Sequence, residues 1–257
     1  MSIGNNFANR QVCDVDIRVL KTMAPFLKFD TANTTGVSIS SDSVYAMAKG
    51  TRRIAFQNPL EGTMTIEAQV YPFKFFAMLS DGVIDSTAIY ADSQTIKCAT
   101  AGELSLTVPT NGTIQAGTVF AYPAGEFGDE GSVIAGTFAS GKFTATTPGD
   151  IAVGEDYVVG YVVSRTSTTG NAVKSVTFNN KRLPKDFYIT MKTLDKDEEG
   201  VLTPFLITVY KAAIQRNFEL SFSSEGDPAS VTLTFDTLEN KDGDVMSFVE
   251  LTGDAEQ

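Results

Sequence analysis

The sequence predicts a mainly β protein with antiparallel hairpins, one short helix, and a small β-sandwich module inserted into a host β domain. Three observations carry this. The dominant hydrophobic period is two. Only one stretch reads as a helix. Of the 21 glycines, 12 fall between residues 100 and 170, among short β-like runs separated by turn signals.

In chain order, Met64, Ile66, Ala68 and Val70 alternate with Thr63, Thr65, Glu67 and Gln69, which reads as a strand with one buried and one wet face. The helix follows over about 72–80. Pro72 suits its first position, Phe73, Phe76 and Ala77 form an i, i+3, i+4 stripe, and Gly82 closes it. A short helix with such a stripe packs on a sheet face. Residues Leu104–Val108, Val119–Tyr122, Lys142–Thr146 and Tyr157–Val163 are short strands of the inserted module, residues 85–168, which reads as immunoglobulin-like without the cysteine and tryptophan hallmarks. Thr166–Gly170 reads as its exit linker, and the host domain is then 1–84 with 169–257. Residues Phe187–Thr193 and Leu202–Lys211 are further strands. Phe218, Leu220 and Phe222 alternate with Glu219, Ser221 and Ser223, and Val231, Leu233 and Phe235 with Thr232, Thr234 and Asp236. The loop Ser224–Pro228 joins these two strands as a hairpin.

Composition excludes several function classes. Lys plus Arg number 20 and Asp plus Glu 31, a net charge of −11, with no histidine and no tryptophan. Without His there is no Ser-His-Asp or Cys-His dyad and no HExxH zinc site. A grip on nucleic-acid phosphates requires clustered Lys and Arg, which this balance disfavours. Residues 87–168 carry 8 acidic and 3 basic side chains, net −5, leaving −6 for the rest, so both parts are acidic. Cys13 and Cys98 form no CxxC and read as reduced thiols. No apolar leader segment opens the chain, and no apolar run approaches the ~20 residues that span a bilayer, so neither a secretory signal nor a membrane segment is expected.

The candidate sites weaken one by one when weighed against ordinary structure. Asp195–Gly200 resembles half an EF-hand loop, but the twelfth position is Leu206 and the flanks read as strands, so it is a hairpin tip. Asn240–Asp244 is a similar tip. No phosphate-binding glycine loop is present, nothing singles out a catalytic pair among the 31 carboxylates, and no cofactor is implied. Asn33-Thr34-Thr35 and Asn111-Gly112-Thr113 match the glycosylation sequon by chance. The informative pattern is the wet strand face: Thr63, Thr65, Glu67, Gln69, Glu219, Ser221, Ser223, Thr232, Thr234 and Asp236. Flat amphipathic strands with small polar faces are edge-pairing hazards unless neighbouring subunits pair with them. Closing strands from several subunits into a barrel removes every edge, and this face, lacking Lys and Arg, would line its channel.

The series from Phe56-Gln57-Asn58-Pro59-Leu60-Glu61-Gly62-Thr63 to Tyr71-Pro72-Phe73-Lys74-Phe75-Phe76 resembles the N-terminal half of bacteriophage tail tube (major tail) proteins. The C-terminal half is similar to them in its ordered motifs: Phe187-Tyr188-Ile189, Pro204-Phe205, Tyr210-Lys211-Ala212, Asn217 to Ser230, Asp236-Thr237-Leu238 and Lys241-Asp242-Gly243. The resemblance covers about two-thirds of the chain. It implies an antiparallel β-sandwich or partial barrel with a long N-terminal arm and extended hairpins. It also implies six-fold rings stacking into a tube, with DNA passing through during ejection and not bound specifically. The implied partners are the chain itself, tape-measure, tail initiator and terminator proteins, and sheath proteins, in a virion tail assembled in the host cytoplasm. The strands 63–70 and 217–236 would face the lumen, or the hairpin 187–211 in the place of one of them. The arm (about 1–35), with Arg10, Asp14 and Asp16, and the tips, with Asp195, Asp197, Glu199, Asp242 and Asp244, would make ring-to-ring contacts. The competing reading is a bacterial-surface glycan-binding module on a β scaffold, for which Tyr122, Phe127 or Tyr157 would have to be exposed to stack on sugars.

Overall fold

The computed structural model describes residues 6–217, 219–220 and 228–251. The chain divides into two compact units, Met1–Val83 with Thr177–Gln257, and Ile84–Val176. Before the inserted unit come β1 (Phe7–Ala8), β2 (Asp14–Val19), β3 (Pro25–Phe29), β4 (Thr34–Ser40), β5 (Ser43–Ala48), β6 (Thr51–Gln57), β7 (Glu61–Ala68) and α1 (Lys74–Leu79). The inserted unit holds β8 (Thr87–Lys97), β9 (Glu103–Ser105), β10 (Gly112–Ile114), β11 (Phe120–Pro123), β12 (Gly136–Ala139), β13 (Lys142–Ala145) and β14 (Asp156–Thr166). After it come β15 (Phe187–Asp197), β16 (Leu202–Ile214), β17 (Val231–Thr237) and β18 (Met246–Glu250). The protein is mainly β, with antiparallel pairing throughout and one short α-helix.

The outer unit is organised by one sheet in the order β3-β2-β15-β16-β17-β7-β4, with β1 added to β15 and β18 to β16. Alternation decides its faces. Val15, Ile17, Phe187, Ile189, Met191, Val209, Leu233, Phe235, Met64 and Ile66 point to one side and are buried. Each such side chain is worth roughly 1.5–3 kcal/mol on burial. Phe75, Met78 and Leu79 of α1 are buried too, and the Lys74 ammonium sits 4.5 Å over the Phe26 ring of β3. The helix starts two residues after Pro72, and the amide of Gly82, at φ +79°, closes it by bonding Ala77 O at 2.8 Å. Its buried residues are Phe75, Ala77, Met78 and Leu79, so of the expected stripe Ala77 and the neighbouring Leu79 are buried while Phe73 and Phe76 are not. Phe73 is exposed and packs its ring on Phe76 at 5.7 Å, so these rings cluster beside the helix rather than beneath it.

One further expectation changes. The first 35 residues are not a long arm. From Asp14 onward the chain is built into the sheet, β2 lying between β3 and β15, because Val15 and Ile17 alternate into the core and are fully buried. The expected partner of β17, 217–223, falls mostly outside the described residues; within them the ladder with β16 reaches the Gln215 amide, which bonds Thr234 O at 2.8 Å. The edges of β17 pair with β7 along 231–237 and with β16 at 235–237, so both sides of Phe235–Thr237 are occupied. Asn217, Glu219 and Leu220 lie in no strand, and Phe218, Ser221, Phe222 and Ser223 fall outside the described residues.

The inserted unit is a two-sheet sandwich. β14 pairs along its whole length with β8, and its other edge takes β10 and β11; β12, β13 and β9 form the second sheet. Leu104 and Phe143 from the second sheet share one core with Ile114, Ala121, Tyr157, Val159, Tyr161 and Val163 from the first. The exit stretch stays with this unit: Ser167 and Val173 exchange two hydrogen bonds of 2.7 Å, and Asp85 bridges Ser175.

Candidate functional site

The wet face of the outer sheet gathers residues that the alternation singled out. β17 and β7 set Asp236 opposite Thr63, Thr234 opposite Thr65 and Thr232 opposite Glu67. β4 extends the face with Ser38 beside Thr63, Gly36 beside Thr65 and Thr34 beside Glu67. Gln69 lies just beyond β7, where its amide donates to Pro228 O at 3.3 Å. Glu219 is exposed and lies outside this ladder, and Ser221 and Ser223 fall outside the described residues. Over β17-β7-β4 the face therefore consists mainly of small hydroxyls with three carboxylates, Glu61, Glu67 and Asp236, and no cation.

The same face changes character at its other end. There β3, β2 and β15 place Lys28 opposite Asp16, Asp16 opposite Thr190, Arg18 opposite Tyr188 and Asp14 opposite Lys192. Arg18 is held by Asp16 at 2.7 Å. The expectation of a wet face without basic residues describes one half of the sheet and fails on the other. Asp14 and Asp16, expected on a free arm, stand on this face instead.

The structure brings other expected contact residues together within the chain. The segment before β2 runs beside the β15–β16 turn. Asn9 Nδ2 donates to Asp195 Oδ1 at 2.7 Å and to Thr193 Oγ1 at 2.9 Å, and Asn6 Nδ2 donates to Glu198 Oε1 at 2.7 Å. Arg10 lines a shallow groove there with Asp197. In the turn itself, Asp197 Oδ1 accepts the Val201 amide at 2.6 Å and Gly200 takes φ +88°, so Asp197 shapes the hairpin, with Glu199 beside it. In the 240–244 turn, Asn240 Oδ1 accepts the amides of Asp242 and Asp244 at 2.8 and 2.9 Å. This turn does not join two paired strands, because β17 and β18 lie end to end along β16.

The feature that strand reading missed is the hairpin β5–β6. Its pairing is regular from Ser43↔Gln57 to Ala48↔Thr51, with a bulge at Arg53. Lys49 (φ +52°) and Gly50 (φ +79°) form a two-residue turn of the positive-φ kind that matches strand twist. Val44, Phe56, Ala46 and Ile54 share one face; Tyr45, Met47 and Arg52 share the other, where the Arg52 guanidinium stacks 4.2 Å over the Tyr45 ring. Both faces are open: Met47 and Phe56 are each 60% exposed, Val44 58% and Ile54 56%. The hairpin holds Lys49, Arg52 and Arg53 and no acidic residue, in a chain of net charge −11. Alternating small apolar residues at 44–48 and 54–56 were a signal for it, though nothing marked them as uncovered.

The model of the YomU/Tube protein family matches residues 10–248. The chain belongs to this family, a family of phage tail tube proteins. No relative is found among curated proteins. Of the three aromatics that the glycan reading would need exposed in the inserted unit, Phe127 is 54% exposed, Tyr122 is half-buried and Tyr157 is buried. Tyr157 is buried with its hydroxyl accepting the Ala152 amide at 2.8 Å, and Tyr122 packs on Phe127 at 5.2 Å. The Phe127 ring in turn rests on Gly160, where a Cβ would come within 2.9 Å. Burial raises the Tyr161 phenol above its ordinary value of 10.0, against the lowering effect of its hydrogen bond from Gln94. No helix among the described residues is long and apolar enough to cross a membrane.

Proposed function

We propose that this tube-family chain is a structural, non-enzymatic subunit that assembles into stacked six-membered rings and forms the tail tube through which DNA is ejected. The β17-β7-β4 face lines the channel, where hydroxyls and carboxylates let phosphates pass without holding them. Edge strands β3 and β4 continue the sheet into neighbouring copies and so remove the open edges. Family membership supports the tube. The observation that carries self-assembly is the β5–β6 hairpin, whose apolar faces nothing among the described residues covers, although a lone two-stranded hairpin is at best marginally stable in water. The inserted unit is an immunoglobulin-like module carried by each subunit. Tape-measure, initiator, terminator and sheath proteins complete the set of partners, in a virion tail assembled in the host cytoplasm. Negative-stain microscopy of the purified chain over a concentration series tests this. Rings or tubes are expected; a monomer at every concentration and ionic strength overturns it.

A further inference from the structure

At the root of the β5–β6 hairpin lies an open groove of about 760 Å³. Ser38 and Ser40 of edge strand β4 form one side, Leu60 and Glu61 lead out of the hairpin, and Asp236, Leu238 and Glu239 form the far wall. Three carboxylates face this space and no basic residue lines it. Thr237 also lines it, 5% exposed, and its hydroxyl has no hydrogen-bond partner. It sits under Gly62, where a Cβ would meet the hydroxyl at 2.3 Å, so glycine keeps this place open.

The hairpin presents the complementary chemistry at its other end. Its tip carries Lys49, Arg52 and Arg53, its sides carry Val44, Ile54 and Phe56, and it is exposed throughout. Its strands of six and seven residues extend about 20 Å from the root. Within one copy the tip points away from the groove at the root, so the match is made between copies. Resting on the tube reading above, we propose that the β5–β6 hairpin of one copy seats its basic tip in the Glu61–Asp236–Glu239 groove of a second copy. Arg and Lys donate to the carboxylates, while the apolar side chains cover Leu60 and Leu238. A tip-to-root contact joins two different patches. Repeated, it does not close on two copies but runs on as an open stack. The acidic β15–β16 turn of a second copy is the rival seat for the tip.

Charge exchange in the full chain tests this, read by sedimentation and negative-stain microscopy against protein concentration. Arg52→Glu with Arg53→Glu, and separately Glu61→Lys with Glu239→Lys, are each expected to raise the concentration needed for assembly at least roughly tenfold, equivalent to about 1.4 kcal/mol. The four-fold exchange, which restores opposite signs, is expected to bring assembly back, and all three effects shrink at high salt. Loss of assembly in the tip variant with a wild-type response in the groove variant overturns the proposal and favours the β15–β16 turn. So does a four-fold exchange that stays unassembled while each variant melts like the parent. A parent chain that assembles while neither pair of changes matters overturns the groove contact and leaves the tube standing. A parent chain that never assembles overturns both.

Discussion

In the inserted unit every strand delivers side chains to one core: Leu104 from β9, Ile114 from β10, Ala121 from β11, Phe143 from β13 and Val159 from β14, with Ile96 of β8 and Phe138 of β12 packed against them. In the β5–β6 hairpin no strand does so. The turn chemistry is similar in both, with left-handed residues at Ser140-Gly141 in the one and at Lys49-Gly50 in the other. The contrast shows what a ladder of hydrogen bonds is worth by itself. It sets geometry and register, whereas stability comes from apolar surface removed from water. The inserted unit completes that step alone. In the other unit the hairpin's Val44, Met47, Ile54 and Phe56 stay exposed.

Changes aimed at each region should break in different ways. The largest effect is expected from Val44→Asp, Ile54→Asp and Phe56→Asp together. Charging one open face of the hairpin should abolish rings and tubes at every concentration, while thermal unfolding of the monomer shifts by no more than about 0.5 kcal/mol, as for exposed sites. A large loss of monomer stability would show that the hairpin is covered within the chain. Next comes Phe143→Ala, which opens a cavity in the inserted core and should cost about 3–5 kcal/mol. Hydrogen exchange should rise across 84–176 and not in the outer sheet; exchange rising in both would mean that the two units unfold as one.

Gly62→Ala should cost about 1–3 kcal/mol by overpacking against Thr237, and Thr237→Ala in the same chain should recover part of it, as measured by denaturant melts. Purely additive costs would show that the contact is not the cause. Breaking the exposed Lys142–Glu103 pair of 2.9 Å with Lys142→Met should change stability by less than about 1 kcal/mol. The smallest effect is alkaline. The buried Tyr161 phenol ionises above its unfolded value, so the unfolded chain loses its proton first and stability falls as pH rises past 10.0. Tyr161→Phe should flatten that fall in melts between pH 8 and 11.

Much of the outer sheet was legible because alternation is a local property. Met64-Ile66-Ala68 and Leu233-Phe235 were assigned to their buried faces before any partner was known, and Thr63, Thr65, Thr232 and Thr234 to the wet one. β8 was not legible: its residues are exposed along most of its length and it forms as a strand because β14 pairs with it from end to end. β2 was taken for part of an arm because five residues of VDIRV are too few to outweigh a polar opening. The charged half of the wet face stayed hidden for the same reason.

Residue order alone determined a β protein with one helix, an acidic balance, a polar and an apolar side to each strand, and the motif series that marks a tail tube family. Side-chain period needs no partner, so it can be read along the chain. Tertiary structure alone decided that β17 joins β7 and β16, that Asp14 and Asp16 share a face with Thr63 and Asp236, and that the 43–57 hairpin is left uncovered. Backbone hydrogen bonds are the same for every residue, so they do not name their partner. That choice is made by which faces can be buried together, and for the hairpin no such face exists among the described residues.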